Sequence, residues 1–337
     1  MNKRFGYLLA LLLLAGCRGL APAVPAETPL PTLLAEVTPN AAPAVASFTD
    51  QPAPPGMNGR ELAEPAPDEV RLLVVGHIYG GIPTEDRDPD LALVAAVPEI
   101  NRLGLSLLVS LGDVVKHSEA ADFDLLDRDL LQPLEAPVFN TVGNHDVEDR
   151  ALYEGRYAPT FYTFAYGTTQ MVFLDTEREV CQVDEVQRQM LAGALEAARS
   201  DPTIRQVFIF MHKTLFLENQ ALYEKNRALT SPNVWECYGA TNFTALMDEL
   251  VRPAAAEKPV YLFAGDVGAT GNLTPYYEAR PDEGLTLLMT GLGDTPQDAG
   301  ILVTVSGGQV DLQLYPLAGT SPSPLQNYTP EYWASLP

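Results

Sequence analysis

The chain is 337 residues long, 46% apolar, and carries a formal charge of −23. That length allows one large domain with a sizeable core. A surface so acidic is repelled by phosphate backbones, so no nucleic-acid binding is expected; a phosphorylated ligand stays open, because a bound cation can reverse the local sign.

Residues 1–16 read as an export signal. Lys3 and Arg4 form its charged start and Leu8 to Leu14 its apolar core, too short to span a bilayer as a permanent helix. Leu14-Ala15-Gly16-Cys17 resembles the bacterial lipobox. That resemblance implies cleavage before Cys17 and lipid attachment to its sulfur, hence an extracytoplasmic protein anchored to a membrane. Losing Lys3 and Arg4 would take the charge from −23 to −25. Residues 17–67 are rich in Pro and Ala without sustained periodicity, which predicts an extended tether.

The body is expected over 68–317. Strand 71–76 precedes a helix over 90–103, strand 105–111 precedes a helix over 119–131, and strand 138–142 closes a β-α-β-α-β opening with parallel strands. A hairpin over 161–174 and an amphipathic helix over 183–199 follow, with Val186, Met190, Ala194, Leu195 and Ala198 on one side. Strand 206–211, a helix over 242–252 and strand 260–264 form a second α/β half. The end is antiparallel, with strands over 285–290, 301–305 and 310–315. Two sheets, each with a helical face, predict a four-layer α/β/β/α sandwich. The tail over 318–337 is rich in Ser and Pro; Tyr332 and Trp333 are expected to pin it to the body.

Five apolar runs stop at polar residues of one kind. They run into His77, Asp113, Asn144-His145-Asp146, His212 and Asp266. The chain has four histidines; three lie at these ends, and the fourth, His117, follows Asp113 by four positions. Strand carboxyl ends are where open α/β sheets bind ligands. Clustered Asp, Asn and His there is the composition of a metal or catalytic centre.

Gly112-Asp113, Gly143-Asn144-His145-Asp146, Met211-His212 and Gly265-Asp266, in that order, resemble the calcineurin-like metallophosphoesterase family over about residues 70–315. The resemblance implies the same sandwich, two metal ions, and a metal-activated water that attacks a phosphoester. It implies Asp113 as bridging ligand, Asn144 and His212 as ligands of the second ion, and His145 as the residue assisting the leaving group.

The family pattern is broken at both ends. Its opening Asp-x-His is His77-Ile78-Tyr79 here, and its closing Gly-His-x-His is Gly265-Asp266-Val267-Gly268. Asp266 can offer a carboxylate to the second ion. Three readings follow: His77 and Tyr79 hold a first ion with His117 or Glu119; only the second ion binds; or Lys116 projects an ammonium near the lost site and the protein binds a ligand without catalysis. The oxygen-rich set of Asp113, Asn144, His212 and Asp266 favours manganese or iron, with zinc as the alternative.

No dinucleotide fingerprint, phosphate loop or nucleophile elbow occurs. The long segment over 213–241, with Phe216, Tyr223, Trp235, Tyr238, Lys213, Lys225 and Arg227, is expected to shape the pocket. In an exported protein Cys181 and Cys237 are expected to bond, two free thiols being the alternative.

Overall fold

The computed structural model describes residues 52–65, 69–81, 87–157, 159–216, 237, 241–267, 275–318 and 323–335. The signal, Cys17, Gly268 and most of the segment over 213–241, including Tyr223, Lys225, Arg227, Trp235 and Tyr238, lie outside them. Among the described residues no helix is long and apolar enough to cross a membrane.

One sheet contains β1 (Glu69–Val75), β2 (Leu107–Ser110), β3 (Val138–Asn140), β10 (Ala299–Ser306) and β11 (Gln309–Pro316), in the order β11-β10-β1-β2-β3. β1, β2 and β3 run parallel, while β10 is antiparallel to β1 and to β11. The second sheet has the order β4-β5-β6-β7-β9-β8. Its members are β4 (Tyr162–Tyr166), β5 (Thr169–Phe173), β6 (Gln206–Met211), β7 (Val260–Ala264), β8 (Tyr276–Arg280) and β9 (Leu285–Met289). β5, β6, β7 and β9 are parallel.

Alternation along each strand makes the layers. Leu72 and Val74 face the second sheet, whereas Leu73 and Val75 face the helices. Between the sheets Phe173, Phe210 and Phe263 stack in sequence, with ring centroids 4.8 and 5.0 Å apart. The outer face of the first sheet is covered by α1 (Leu91–Arg102) and α2 (Ala120–Leu126, continued by a π-turn over Asp127–Leu131). That of the second is covered by α4 (Glu185–Ser200) and α5 (Phe243–Leu246, with Met247–Val251 and Arg252–Ala255). α3 (Arg150–Tyr157) follows the Asn-His-Asp turn. The result is the α/β/β/α sandwich.

Four details depart from the sequence reading. Val186 is 45% exposed rather than on the buried side of α4; Gln187 takes the place beside the core, bonded to Asp175. β8 was not foreseen, because Glu278 and Arg280 interrupt its apolar pattern. Part of the expected tether lies on the body: Met57 N–H donates to the Val138 carbonyl at 2.7 Å, and Arg60 and Asn58 bond carbonyls over 132–136. In the tail, the indole of Trp333 is buried and donates to the Pro275 carbonyl at 3.0 Å, whereas Tyr332 is 37% exposed and packs edge-on against Tyr328 of the tail itself. Cys181 and Cys237 form a disulfide, with Cα atoms 5.0 Å apart.

Candidate active site

The carboxyl ends of β1, β2, β3, β6 and β7 bring His77, Asp113, Asn144-His145-Asp146, His212 and Asp266 to one edge. His77 and Asp113 both adopt left-handed backbone, with φ of 56° and 55°. Non-glycine residues held there are strained, a cost of about 1–3 kcal/mol each that the surroundings must impose. Close approach explains two glycines: a Cβ on Gly112 would stand 2.6 Å from His212 Nδ1, and one on Gly143 2.2 Å from Asp113 Oδ1.

Asp113 is at the centre. Its Oδ2 lies 3.3 Å from His77 Nε2, and its Oδ1 lies 3.5 Å from His212 Nε2 and accepts the His145 backbone N–H at 3.1 Å. Burial, reinforced by Asp266, pushes the Asp113 carboxyl up to about 7 although His145 opposes it. Burial and the adjacent His212 bring His77 down to about 3, so it is neutral. His212 Nδ1–H donates to the Leu111 carbonyl at 2.7 Å, which turns Nε2 toward Asp113 and Asp266, 3.8 Å from the latter's Oδ1.

Asp146 has a different task. Its two oxygens accept backbone N–H groups from Asp113, Val114, Val115 and Gly143 at 2.7–3.3 Å. It therefore clamps the turn after β2 to the turn after β3. Burial and the facing Asp113 still raise its carboxyl to about 6. Arg150, at the start of α3, pairs with buried Asp175 at 2.6 Å and ties the same turn to the end of β5.

His145 is held at both ring nitrogens. Nδ1–H donates to the Lys116 carbonyl at 2.8 Å, and Nε2 lies 3.4 Å from the Tyr79 hydroxyl. Its side chain is 27% exposed, so it stands at the mouth while Asp113, His212 and Asp266 lie beneath. Asn144, Lys116 and His117 are also half-buried. Tyr79 thus lies between His145 and His77, its ring centroid 4.2 Å from that of His77. Glu119 pairs with Arg87 at 2.6 Å and His117 N–H donates to Asp122, so neither contact brings its residue to His77.

Lys213, expected from the sequence as part of the pocket-shaping segment, reaches into the cluster itself. Its side chain is buried, 1% exposed, and its Nζ lies 3.0 Å from Asn144 Oδ1 and 3.4 Å from Asp266 Oδ2. Burial alone would raise Asp266; the Lys213 ammonium and His212 hold it below the usual carboxylate range. Half-buried Glu177 also feels Lys213 and His212, although burial keeps its carboxyl raised. The only sequence signal was a lysine directly after a strand-end histidine.

No family model matches the chain, and no curated protein matches it. Solved structures do. A dimetal phosphatase from Danio rerio superposes with a TM-score of 0.51 at 14% identity, over 74% of this chain and 96% of that one. Purple acid phosphatase from yellow lupin (Lupinus luteus) seeds superposes with a TM-score of 0.52 at 11% identity, over 76% of this chain and 52% of that one. The fold resembles that of the metallophosphoesterases.

The metallophosphoesterase-like fold brings the question of two metal ions, and the residues present do not fit such a pair. Asn144 and Asp266, two of the four expected ligands of the second ion, are engaged by the Lys213 ammonium. Among the described residues no three His, Cys, Asp or Glu side chains are disposed to hold a metal ion. His77 Nδ1 and His212 Nε2 are buried without a hydrogen-bond partner, so the cluster keeps unused imidazole nitrogens. In donor type the cluster resembles a metal site, but two of its expected ligand positions face an ammonium.

Proposed function

We propose that this protein recognises a phosphoester-bearing ligand outside the cytoplasm, anchored by a lipid on Cys17. The mouth supports the reading: His145, Asn144, Lys116 and His117 are half-buried there, with the His145 ring bonded to the Lys116 carbonyl, on a chain of formal charge −23. Amide and imidazole groups there can hydrogen-bond an anion that the acidic surface otherwise repels. Two proteins of similar fold are named as phosphatases, which supports a phosphoester as the ligand class.

Hydrolysis is the second reading, favoured by His145. Two hydrogen bonds fix its ring, and a histidine so held at a phosphoester can pass a proton to the departing oxygen. Aryl phosphate mono- and diesters test both readings. Saturable binding that weakens at least about tenfold in His145→Ala, the loss expected when one charge-assisted hydrogen bond goes, is the expected result. Turnover that falls about 10²–10⁴-fold in the same variant selects the hydrolase. Turnover indistinguishable from the variant selects the binding protein, and no saturable binding of any ester removes both.

Anchoring has its own test. Cys17→Ser should leave the protein uncleaved or released from the membrane fraction. A variant processed and held as before would remove the lipid-anchor reading.

A further inference from the structure

We infer that the Lys213 ammonium is the resident cation of this pocket, standing where metallophosphoesterase-like proteins would hold the second metal ion, so that the wild-type pocket takes up no divalent ion there. The inference rests on reading the pocket as a phosphoester site, and it concerns what supplies the positive charge.

The geometry is specific. Lys213 follows His212 at the end of β6, and its backbone N–H donates to Thr176 Oγ1 at 3.1 Å, which fixes the start of the side chain. The stem is buried, and Nζ reaches 3.0 Å from Asn144 Oδ1 at the end of β3 and 3.4 Å from Asp266 Oδ2 at the end of β7. Three strand ends therefore meet on one ammonium. One of these neighbours, Asn144 Oδ1, is an oxygen that the family pattern assigns to an ion; the other, Asp266, stands at a position where that pattern has an imidazole ligand. The closing motif changes in step: a carboxylate, Asp266, stands in place of an imidazole, and it supplies the negative charge a buried ammonium requires. Lys213 and Asp266 are thus one paired departure rather than two independent losses.

The pair also resists displacement. A divalent ion entering between Asn144 and Asp266 would have to expel a lysine whose stem is enclosed by the core, and would leave its ammonium buried beside a doubly charged ion. Coulomb repulsion at such a distance is strong in a low-dielectric site. Removing the ammonium reverses the situation. Asp113, Asn144, His212 and Asp266 then surround a position with two carboxylates, an amide oxygen and the unpartnered His212 Nε2, a donor set suited to manganese.

The test is metal uptake by the full mature protein, untagged and in detergent. Wild type and Lys213→Met are stripped with chelator, exposed to excess Mn²⁺, gel-filtered and analysed for metal. Wild type is expected to retain less than about 0.1 ion per chain, and its thermal midpoint to be unmoved by Mn²⁺ or chelator. Lys213→Met is expected to gain about one ion per chain and to be stabilised by Mn²⁺. Two results overturn the inference: wild type that keeps about one ion or more, or a Lys213→Met protein, folded by circular dichroism, that takes up no more than wild type. If the variant does not fold, the wild-type count decides alone. Failure of the phosphoester reading is distinguishable. Wild type that binds neither ester nor metal keeps Lys213 as resident cation and removes the ligand class, whereas wild type that binds both does the reverse.

Discussion

Asp146→Ala is expected to lower the folding free energy by about 3–5 kcal/mol, the range for breaking a buried charged network by removing one partner. The side chain is fully buried, and the change would leave the N–H groups of Asp113, Val114, Val115 and Gly143 without acceptors in a region closed to water. Each such orphan costs about 1–3 kcal/mol, although the four are not additive because the turns relax together. Relaxation is itself the functional consequence. The turn carrying Asn144 and His145 would lose its register against Asp113, whose Oδ1 accepts the His145 N–H. Asp146→Asn keeps the shape and one accepting oxygen, so a loss of about 1–3 kcal/mol is expected. Urea denaturation of wild type and both variants measures this through the midpoint at constant slope. Midpoints equal to wild type in both would show that the clamp does not hold the turns.

The second large effect is expected from the disulfide. Cys181 and Cys237 are separated by 56 residues, and loop-closure entropy assigns a cross-link of that span about 4 kcal/mol at 25 °C. Both cysteines are buried in the core cluster that also holds Val183, Leu215 and Phe216. The bond therefore ties the approach to α4 to the chain beyond β6, on which His212 and Lys213 sit at the strand end. Reduction of the intact protein should lower its stability by about 3–4 kcal/mol, and the Cys181→Ala/Cys237→Ala double variant should match the reduced wild type. Thiol counting under denaturing, non-reducing conditions should find neither cysteine free. A denaturation midpoint that does not move on reduction would mean that the cross-link constrains nothing in the unfolded chain.

The sequence by itself determined the element order and the place of the polar strand ends. Those signals are local. An apolar run with β-branched residues ending in glycine and then Asp or His states both strand and site within about seven positions, and the shift from period 2 to period 3.6 marks helices such as α1 and α4. Their convergence at one edge was legible too, because parallel strands in an α/β arrangement place all their carboxyl ends on one side. What a side chain does at that edge was not legible. Lys213 and Asn144 are 69 residues apart, and only the neighbouring of β3, β6 and β7 at their ends turns the lysine into the counter-charge of Asp266 rather than a pocket-loop cation. Asp146 reads in sequence as one more polar residue of the turn; its role as a clamp depends on backbone N–H groups contributed from β2's end, over 30 positions earlier. Tertiary structure decides these cases because the partner of a buried charge is chosen by what the packed sheets bring within a few ångströms, and sequence spacing carries no record of that choice.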